Sequence, residues 1–161
     1  MEAREGIAAL VGEWRGTNKL ILEPGAPAAE SAATASVSVA GTGSSAVVRY
    51  TWAEGKKPQD GVLVLRLGAE PGDWDLVWTD SFHMNQGFMA CRPDATKGGA
   101  LSALGSYPAP PGPDWGWRIE LHSPAEDEMQ LLMFNITPGG EESLAVEADF
   151  TRAAIPQPAP A

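Results

Sequence analysis

Apolar and polar residues alternate along most of this chain, and the alternation predicts a succession of β-strands. Between residues 46 and 53, Val48, Tyr50 and Trp52 fall on one side of the backbone and Arg49 on the other, as in a strand with one buried face. Segments rich in Gly and Pro separate the alternating stretches and predict turns. The predicted strands cover residues 14–23, 33–39, 46–53, 62–67, 73–81, 87–92, 100–107, 115–122, 129–136 and 144–152.

About ten short strands at regular spacing favour antiparallel neighbours, in either a barrel or a sandwich. The apolar residues between Glu2 and Val11 fall near helical spacing and predict one short N-terminal helix. Because the chain has 161 residues, we expect a single domain over residues 1–154. The Pro-rich segment 155–161 is predicted to be a disordered tail.

The charge balance is acidic and restricts the partners. The chain has 21 Asp and Glu against 11 Lys and Arg, for a formal net charge of -10. That charge repels phosphate backbones and anionic lipids, so we expect neither nucleic acid nor a membrane as partner. The lone Cys91 cannot form an internal disulfide, and the N-terminus has no signal-peptide pattern, so we expect a cytoplasmic protein. No metal is expected, because paired Cys or His ligands are missing from the sequence.

Several motifs resemble those of a known superfamily. Gly12-Glu13-Trp14 at the head of the first strand, the short helix before it, about ten strands and Arg152 in the last strand resemble the calycins, that is, lipocalins and fatty-acid-binding proteins. Segments 78–83 and 112–118 are similar to an uncharacterised bacterial family of lipocalin-like barrels. The resemblance implies an all-β, antiparallel up-and-down barrel. It also implies that Trp14 closes one end and that Arg152 crosses its indole face as a structural clasp.

Six tryptophans are many for this length, and several share strand faces. Trp74 and Trp78 fall on one face of their strand, and Trp115 and Trp117 on one face of theirs, so indoles could line a cavity for a small apolar or amphipathic ligand. Ordinary core packing is the alternative. The candidate ligand-binding residues are Tyr50, Trp78, His83, Met89, Tyr107, Trp117, Arg118 and Met133.

The strand 115–122 also carries polar side chains on its second face. Arg118, Glu120 and His122 alternate with Trp117 and Ile119. If the polar face were inside, these three side chains could hold a carboxylate, which matches the donor geometry of Arg. We expect the apolar face inside, which leaves Arg118 and Glu120 outside and solvated.

The segment Asp80-Ser81-Phe82-His83 contains the residue types of a hydrolase but not the spacing. In a continuous strand, Ser81 and His83 share a face about 7 Å apart, whereas Asp80 points to the other face. A nucleophile and its base need contact at about 3 Å, so no catalytic residue is assigned. His83 is expected either as a polar group of the cavity or as an ordinary surface or core histidine.

Three alternatives to simple ligand binding stay open. One is an isomerase or cyclase that uses His83, Asp80 and Tyr107 as acid or base. Another is a haem-binding barrel of the nitrobindin type, since the motif of residues 12–16 resembles its Gly-x-Trp-x-Gly start; His83 or His122 would then supply an axial nitrogen. The last is a barrel that is filled by its own side chains and binds no ligand. Its role would be structural or oligomeric, with a homodimer as its assembly.

Overall fold

One short helix and ten strands make up the described part of the chain. The computed structural model describes residues 3–84, 87–97, 101–154 and 159–160, so most of the predicted tail lies outside the described residues. Helix α1 covers Ala3–Leu10, and the strands are β1 (Gly12–Leu20), β2 (Ala29–Ala40), β3 (Ser45–Glu54), β4 (Lys57–Leu67), β5 (Trp74–Asp80), β6 (Met89–Pro93), β7 (Leu101–Tyr107), β8 (Trp115–His122), β9 (Glu128–Ile136) and β10 (Glu142–Arg152).

The ten strands close into an antiparallel barrel. Each strand pairs with its neighbours in sequence, and β10 returns to pair with β1, with Trp14 opposite Arg152 and Leu20 opposite Val146. This closure confirms the predicted up-and-down barrel with a short N-terminal helix and excludes the sandwich. Within the described residues, no helix is long and apolar enough to span a bilayer.

The inner face of the barrel carries the apolar half of each alternating pattern. Trp74, Leu76 and Trp78 of β5 are 8%, 3% and 1% exposed, as the alternation predicts. Val39 is an exception. The alternation places it with the inward residues of β2, yet it is 48% exposed, because β1 begins at Gly12, which pairs with Val37, and does not extend beside Val39.

Helix α1 closes one end of the barrel, which we call the closed end. Its Ile7 is fully buried, and the Leu10 carbonyl accepts a hydrogen bond of 2.9 Å from Trp14 Nε1. The Arg152 guanidinium lies 4.3 Å from the centre of the Trp14 ring and donates to the carbonyls of Val11 and Ala9. Indole, helix and last strand are thereby held together.

A second arginine fixes the same helix from its other side. Arg4 donates to the carbonyls of Leu67 and Gly68, at 2.7 and 3.1 Å, where β4 leaves the barrel, and also to the Gly43 carbonyl in the turn between β2 and β3. Carbonyl groups at strand ends and turns have no ladder partner of their own, so these bonds satisfy groups that would otherwise need water. The helix therefore covers the closed end as a fixed lid.

The opposite end, where β1, β3, β5, β7 and β9 finish, has no helix over it in the described residues. We call it the open end. Two large apolar side chains are exposed there, Leu22 at 71% and Phe88 at 74%. Leu22 was predicted to lie in the first strand, which instead ends at Leu20.

Candidate ligand-binding cavity

A cavity of about 480 Å³ enters the barrel from the open end. Its wall combines strand ends with the segments that follow them, and it is mostly apolar with a few polar groups among the aromatic rings. The lining residues are Leu20, Ile21, Leu22, Glu23, Pro24, Trp78, Phe82, His83, Met84, Met89, Tyr107, Pro108, Trp117, Asn135, Ser143, Leu144 and Ala145.

The structure brings five of the eight candidate residues to this cavity: Trp78, His83, Met89, Tyr107 and Trp117. Two others, Tyr50 and Met133, are buried in the barrel core, 6% and 1% exposed, without lining it.

Arg118 is not at the cavity. It is only 3% exposed, yet it lies on the outer side of β8, where its Nε donates to Glu120 at 2.7 Å and its Nη1 donates to Glu142. Its guanidinium also covers the Phe134 ring at 4.3 Å. The expectation of a solvated outer face was therefore wrong: Phe134 of β9 and Glu142 of β10 cover Arg118, and Glu120 is only 7% exposed.

Two stacked indoles form one wall of the cavity. The rings of Trp78 and Trp117 lie 5.5 Å apart at an interplanar angle of 7°, an offset stack that aromatic pairs favour. They come from β5 and β8, which are not adjacent in the sheet. Gly105, opposite Trp117 on β7, leaves room for the Met89 side chain beside this wall, because a Cβ at position 105 would lie 2.6 Å from the Met89 sulfur.

The second feature of the cavity is a contact between Asp80 and His83. The strand ends at Asp80, and a turn brings the His83 ring back so that its Nδ1 lies 2.8 Å from Asp80 Oδ2. The other carboxylate oxygen, Oδ1, accepts the backbone N–H groups of Phe82, His83 and Met84. The prediction that Asp80 and His83 lie on opposite faces was wrong, because it extended the strand through His83, whereas the strand ends at Asp80.

A hydrogen-bonded chain fixes Asp80 from inside the barrel. Trp78 Nε1 donates to the Tyr50 hydroxyl at 2.8 Å, and that hydroxyl donates to Asp80 Oδ2 at 3.3 Å. Gly61 stands between them in the sheet, paired with Tyr50 on one side and Asp80 on the other. A Cβ at position 61 would lie 2.2 Å from the Tyr50 ring, so this glycine allows the phenol to cross β4.

The charges of this group follow from its contacts. Burial raises the pKa of the Asp80 carboxyl, but the hydrogen bonds that it accepts from the His83 side chain and from backbone N–H groups outweigh burial, so the pKa falls below its ordinary value. Burial and the nearby Asp80 carboxylate raise the pKa of Tyr50 well above its ordinary value. Asp80 is therefore an anion that accepts, and Tyr50 a neutral phenol that donates.

A second polar pair faces the cavity from its other side. The Tyr107 hydroxyl donates to Asn135 Oδ1 at 2.7 Å, and both residues line the cavity. Tyr107 was predicted as a candidate, whereas Asn135 was not. The Tyr107 ring also meets the edge of Trp117, with centroids 6.4 Å apart.

Part of the cavity wall is formed by Ser143, Leu144 and Ala145, none of which was predicted as a site residue. The register of β10 against β9 shifts between Leu144 and Val146, so a β-bulge lies beside the cavity. Bulges occur at barrel rims and redirect side chains there. Simple alternation does not predict such a bulge.

Asp80, Ser81 and His83 do not form a catalytic triad. Ser81 is exposed, and its hydroxyl donates to Gln59 Oε1 rather than to His83. Across the described residues, no three His, Cys, Asp or Glu side chains are arranged to hold a metal ion.

The barrel is similar to solved structures of low sequence identity. An S-type phycobiliprotein lyase, CPES, from Guillardia theta matches with a TM-score of 0.59 and 12% identity, covering 97% of this chain and 95% of that one. Rv2717c from M. tuberculosis matches with a TM-score of 0.59 and 15% identity, covering 92% of this chain and 95% of that one. These matches show a shared fold, which fits the calycin-like barrel expected from the sequence.

Sequence comparison identifies a family rather than a characterised relative. No curated protein matches this chain. The family described as "Protein of unknown function (DUF1579)" matches residues 1–152, and the chain therefore belongs to the DUF1579 family.

Proposed function

We propose that this protein binds a small amphipathic molecule with a flat apolar body in the cavity at the open end. The observation that carries the proposal is the cavity itself: about 480 Å³, within the range of roughly 300–1,000 Å³ of small-molecule sites. The stacked pair of Trp78 and Trp117 offers a flat wall. His83, Tyr107 and Asn135 supply few but convergent polar groups, which is the usual composition of a ligand site.

The architecture of the two ends supports the same proposal. Helix α1, Trp14 and Arg152 fill and cover the closed end, whereas the open end has a cavity and exposed apolar side chains. A barrel of about ten strands is wider than side chains alone fill easily. The described cavity lies at the end that helix α1 does not cover.

The experiment is a ligand screen on a blocked variant and its matched control. Ser143→Phe places a ring at the cavity wall, and Ser36→Phe makes the same change at a half-buried position of β2, away from the cavity. Tryptophan fluorescence is titrated with a panel of fatty acids and planar aromatics, and native mass spectrometry detects any molecule that the purified wild-type protein carries.

We expect at least one compound to quench the wild type and Ser36→Phe, and to bind Ser143→Phe at least about tenfold more weakly, since a filled cavity forfeits most contact area. A wild type that carries no ligand and is quenched by no compound of the panel would overturn the proposal. Equal binding by all three proteins would place the ligand outside the cavity.

A second candidate function is acid–base catalysis, favoured by the contact of Asp80 with His83. A carboxylate that fixes one imidazole nitrogen leaves the other nitrogen to exchange a proton with a substrate, as in isomerases. The similar structure from Guillardia theta is named as a lyase, so this fold serves an enzyme in at least one protein. Turnover of a cavity ligand that disappears in a folded His83→Ala variant would support catalysis; unchanged turnover would exclude His83.

Haem is a third candidate, favoured only by the imidazole of His83 among the cavity's aromatic rings. A Soret band in the visible spectrum of the purified protein would support it. A colourless protein that also takes up no added haem would exclude haem binding.

A further inference from the structure

We infer that the cavity selects planar molecules that carry a hydroxyl or N–H donor and disfavours carboxylates, because His83 presents an acceptor nitrogen there. The inference rests on the proposed ligand-binding function and names the chemistry of its ligand. Phenols, enols and N–H heterocycles belong to this class, whereas fatty acids do not.

The first step is the protonation of the His83 ring. Asp80 accepts at both of its oxygens: Oδ1 from three backbone N–H groups, and Oδ2 from Tyr50. An ionised carboxylate only accepts, so His83 Nδ1, 2.8 Å from Oδ2, must carry a proton. In the neutral imidazole the other nitrogen, Nε2, then has the lone pair.

The second step is the direction of that lone pair. Nδ1 faces Asp80, which is 5% exposed and lies toward the barrel interior, and the His83 ring itself lines the cavity. The edge with Nε2 is therefore turned away from Asp80. The centre of the His83 ring lies 5.3 Å from that of Trp117 and 5.9 Å from that of Trp78. A flat molecule that packs against the two indoles therefore brings its edge toward His83 Nε2.

The third step is the charge of the wall. Among the described lining residues none is Lys or Arg, and Glu23 is an acid. Asp80 adds a buried negative charge behind His83. Arg118, the one predicted candidate that could neutralise a carboxylate, is on the outer face and paired with Glu120 and Glu142. A carboxylate inside the cavity would lose its hydration without gaining a counter-ion.

The chain's other histidine gives an internal reference. His122 faces Glu120 through Nε2, at 2.8 Å, so the same rule assigns its proton to Nε2. The two histidines are therefore expected as opposite tautomers, Nδ1–H for His83 and Nε2–H for His122. Long-range ¹H–¹⁵N spectra distinguish the two forms.

The test compares three probes of one shape: 2-naphthol, which donates a hydrogen bond, 2-methoxynaphthalene, which does not, and 2-naphthoate, which is an anion. Affinities are measured by tryptophan quenching and calorimetry at about pH 8, above the ordinary titration range of imidazoles. The variants are His83→Phe, which keeps a ring but loses the acceptor, and His122→Gln as its control.

In the wild type and in His122→Gln, we expect 2-naphthol to bind about tenfold more tightly than the ether, as one hydrogen bond in a dry site provides, and 2-naphthoate to bind most weakly. His83→Phe should bind naphthol and ether alike. If His83→Phe does not fold, NMR of the wild type takes its place as the test. We then expect the Nδ1–H tautomer of His83 and a shift of its Nε2 resonance on addition of 2-naphthol but not of 2-methoxynaphthalene.

The two possible failures are distinct. If none of the probes binds, or if Ser143→Phe binds all of them as well as the wild type does, the proposed cavity function itself fails. If the probes bind in the cavity but naphthol has no advantage over the ether, keeps its advantage in His83→Phe, or is surpassed by naphthoate, then only the donor preference is wrong. An Nε2–H tautomer of His83 would also overturn it.

Discussion

The polar groups at the two ends of this barrel find their hydrogen-bond partners in different ways. At the closed end, arginine side chains satisfy backbone carbonyls: Arg152 reaches Ala9 and Val11, and Arg4 reaches Leu67 and Gly68. At the open end, the buried polar groups bond to one another, as in the chain from Trp78 through Tyr50 to Asp80. One arrangement fixes a lid, and the other fixes side chains around a cavity.

The arginines of the closed end stabilise the fold, whereas the hydrogen-bonded side chains of the open end orient the residues around the cavity. Bonds from a charged side chain to several carbonyls unite segments far apart in sequence, which serves stability. A side-chain network with one ring facing a cavity fixes the orientation of that ring, which would serve recognition under the proposed ligand-binding function. Substitutions at the closed end should therefore change stability without changing binding, and those at the open end should affect both.

The largest effect is expected from Trp14→Ala at the closed end. Removing an indole that is 1% exposed should lower the free energy of unfolding by about 3–5 kcal/mol. Trp115→Ala, at the half-buried start of β8 at the open end, is the matched control and should cost clearly less. Urea unfolding of both variants measures the difference, and equal losses would contradict the role of Trp14 as the closing residue.

Arg152→Ala should have a smaller effect of the same kind. It removes a cation–π contact and hydrogen bonds to carbonyls, and we expect a loss of about 1–2 kcal/mol and a lower melting temperature. Ligand affinity of the folded protein should stay unchanged. Arg15→Ala, on the exposed outer face of β1, is the control. Loss of binding at unchanged stability would overturn the assignment of Arg152 as a clasp.

The smallest effect is expected from Asp80→Asn, and it should depend on pH. The folded-state pKa of Asp80 is depressed, so its charge stabilises the fold above the unfolded value of 3.8 and ceases to do so as pH falls below it. Near neutral pH the variant should lose about 1 kcal/mol, and the difference from wild type should shrink below about pH 4. Thermal melts against pH test this.

Asp114→Asn, at an exposed loop position of the same end, should show no such pH-dependent difference. If the loss in Asp80→Asn stayed constant down to pH 2, the charge of Asp80 would not be its cause. The two variants together separate the effect of an ionised carboxylate from that of a changed side chain.

The sequence predicted most of the barrel because inner faces follow a local rule. Strand β8 has the predicted bounds, Trp115–His122, and the inward row of β5 was correctly identified. The period of two is set by the backbone alone, so it is visible in a single sequence. The resemblance to calycins then selected the barrel over the sandwich.

The site was less predictable because its contacts join distant segments. Asp80 meets His83 only because the strand ends at Asp80 and the chain then turns, whereas the alternation rule places their side chains by extending the strand through His83. Arg118 is buried by Glu142 and Phe134, which belong to other strands. Asn135 and the bulge near Ala145 carry no distinctive local pattern, so only the assembled barrel reveals them.

The return of β10 to β1 has a consequence for encounters with other proteins. In an open sheet the outermost strands present free N–H and C=O groups, which can add a strand from another chain and seed aggregation. Here Arg15 pairs with Thr151 and Lys19 with Glu147 along the seam, so among the described strands neither β1 nor β10 is a terminal strand. At this seam, a protein that binds the barrel therefore has to contact side chains or loops, because neither of the two strands has a free edge to extend.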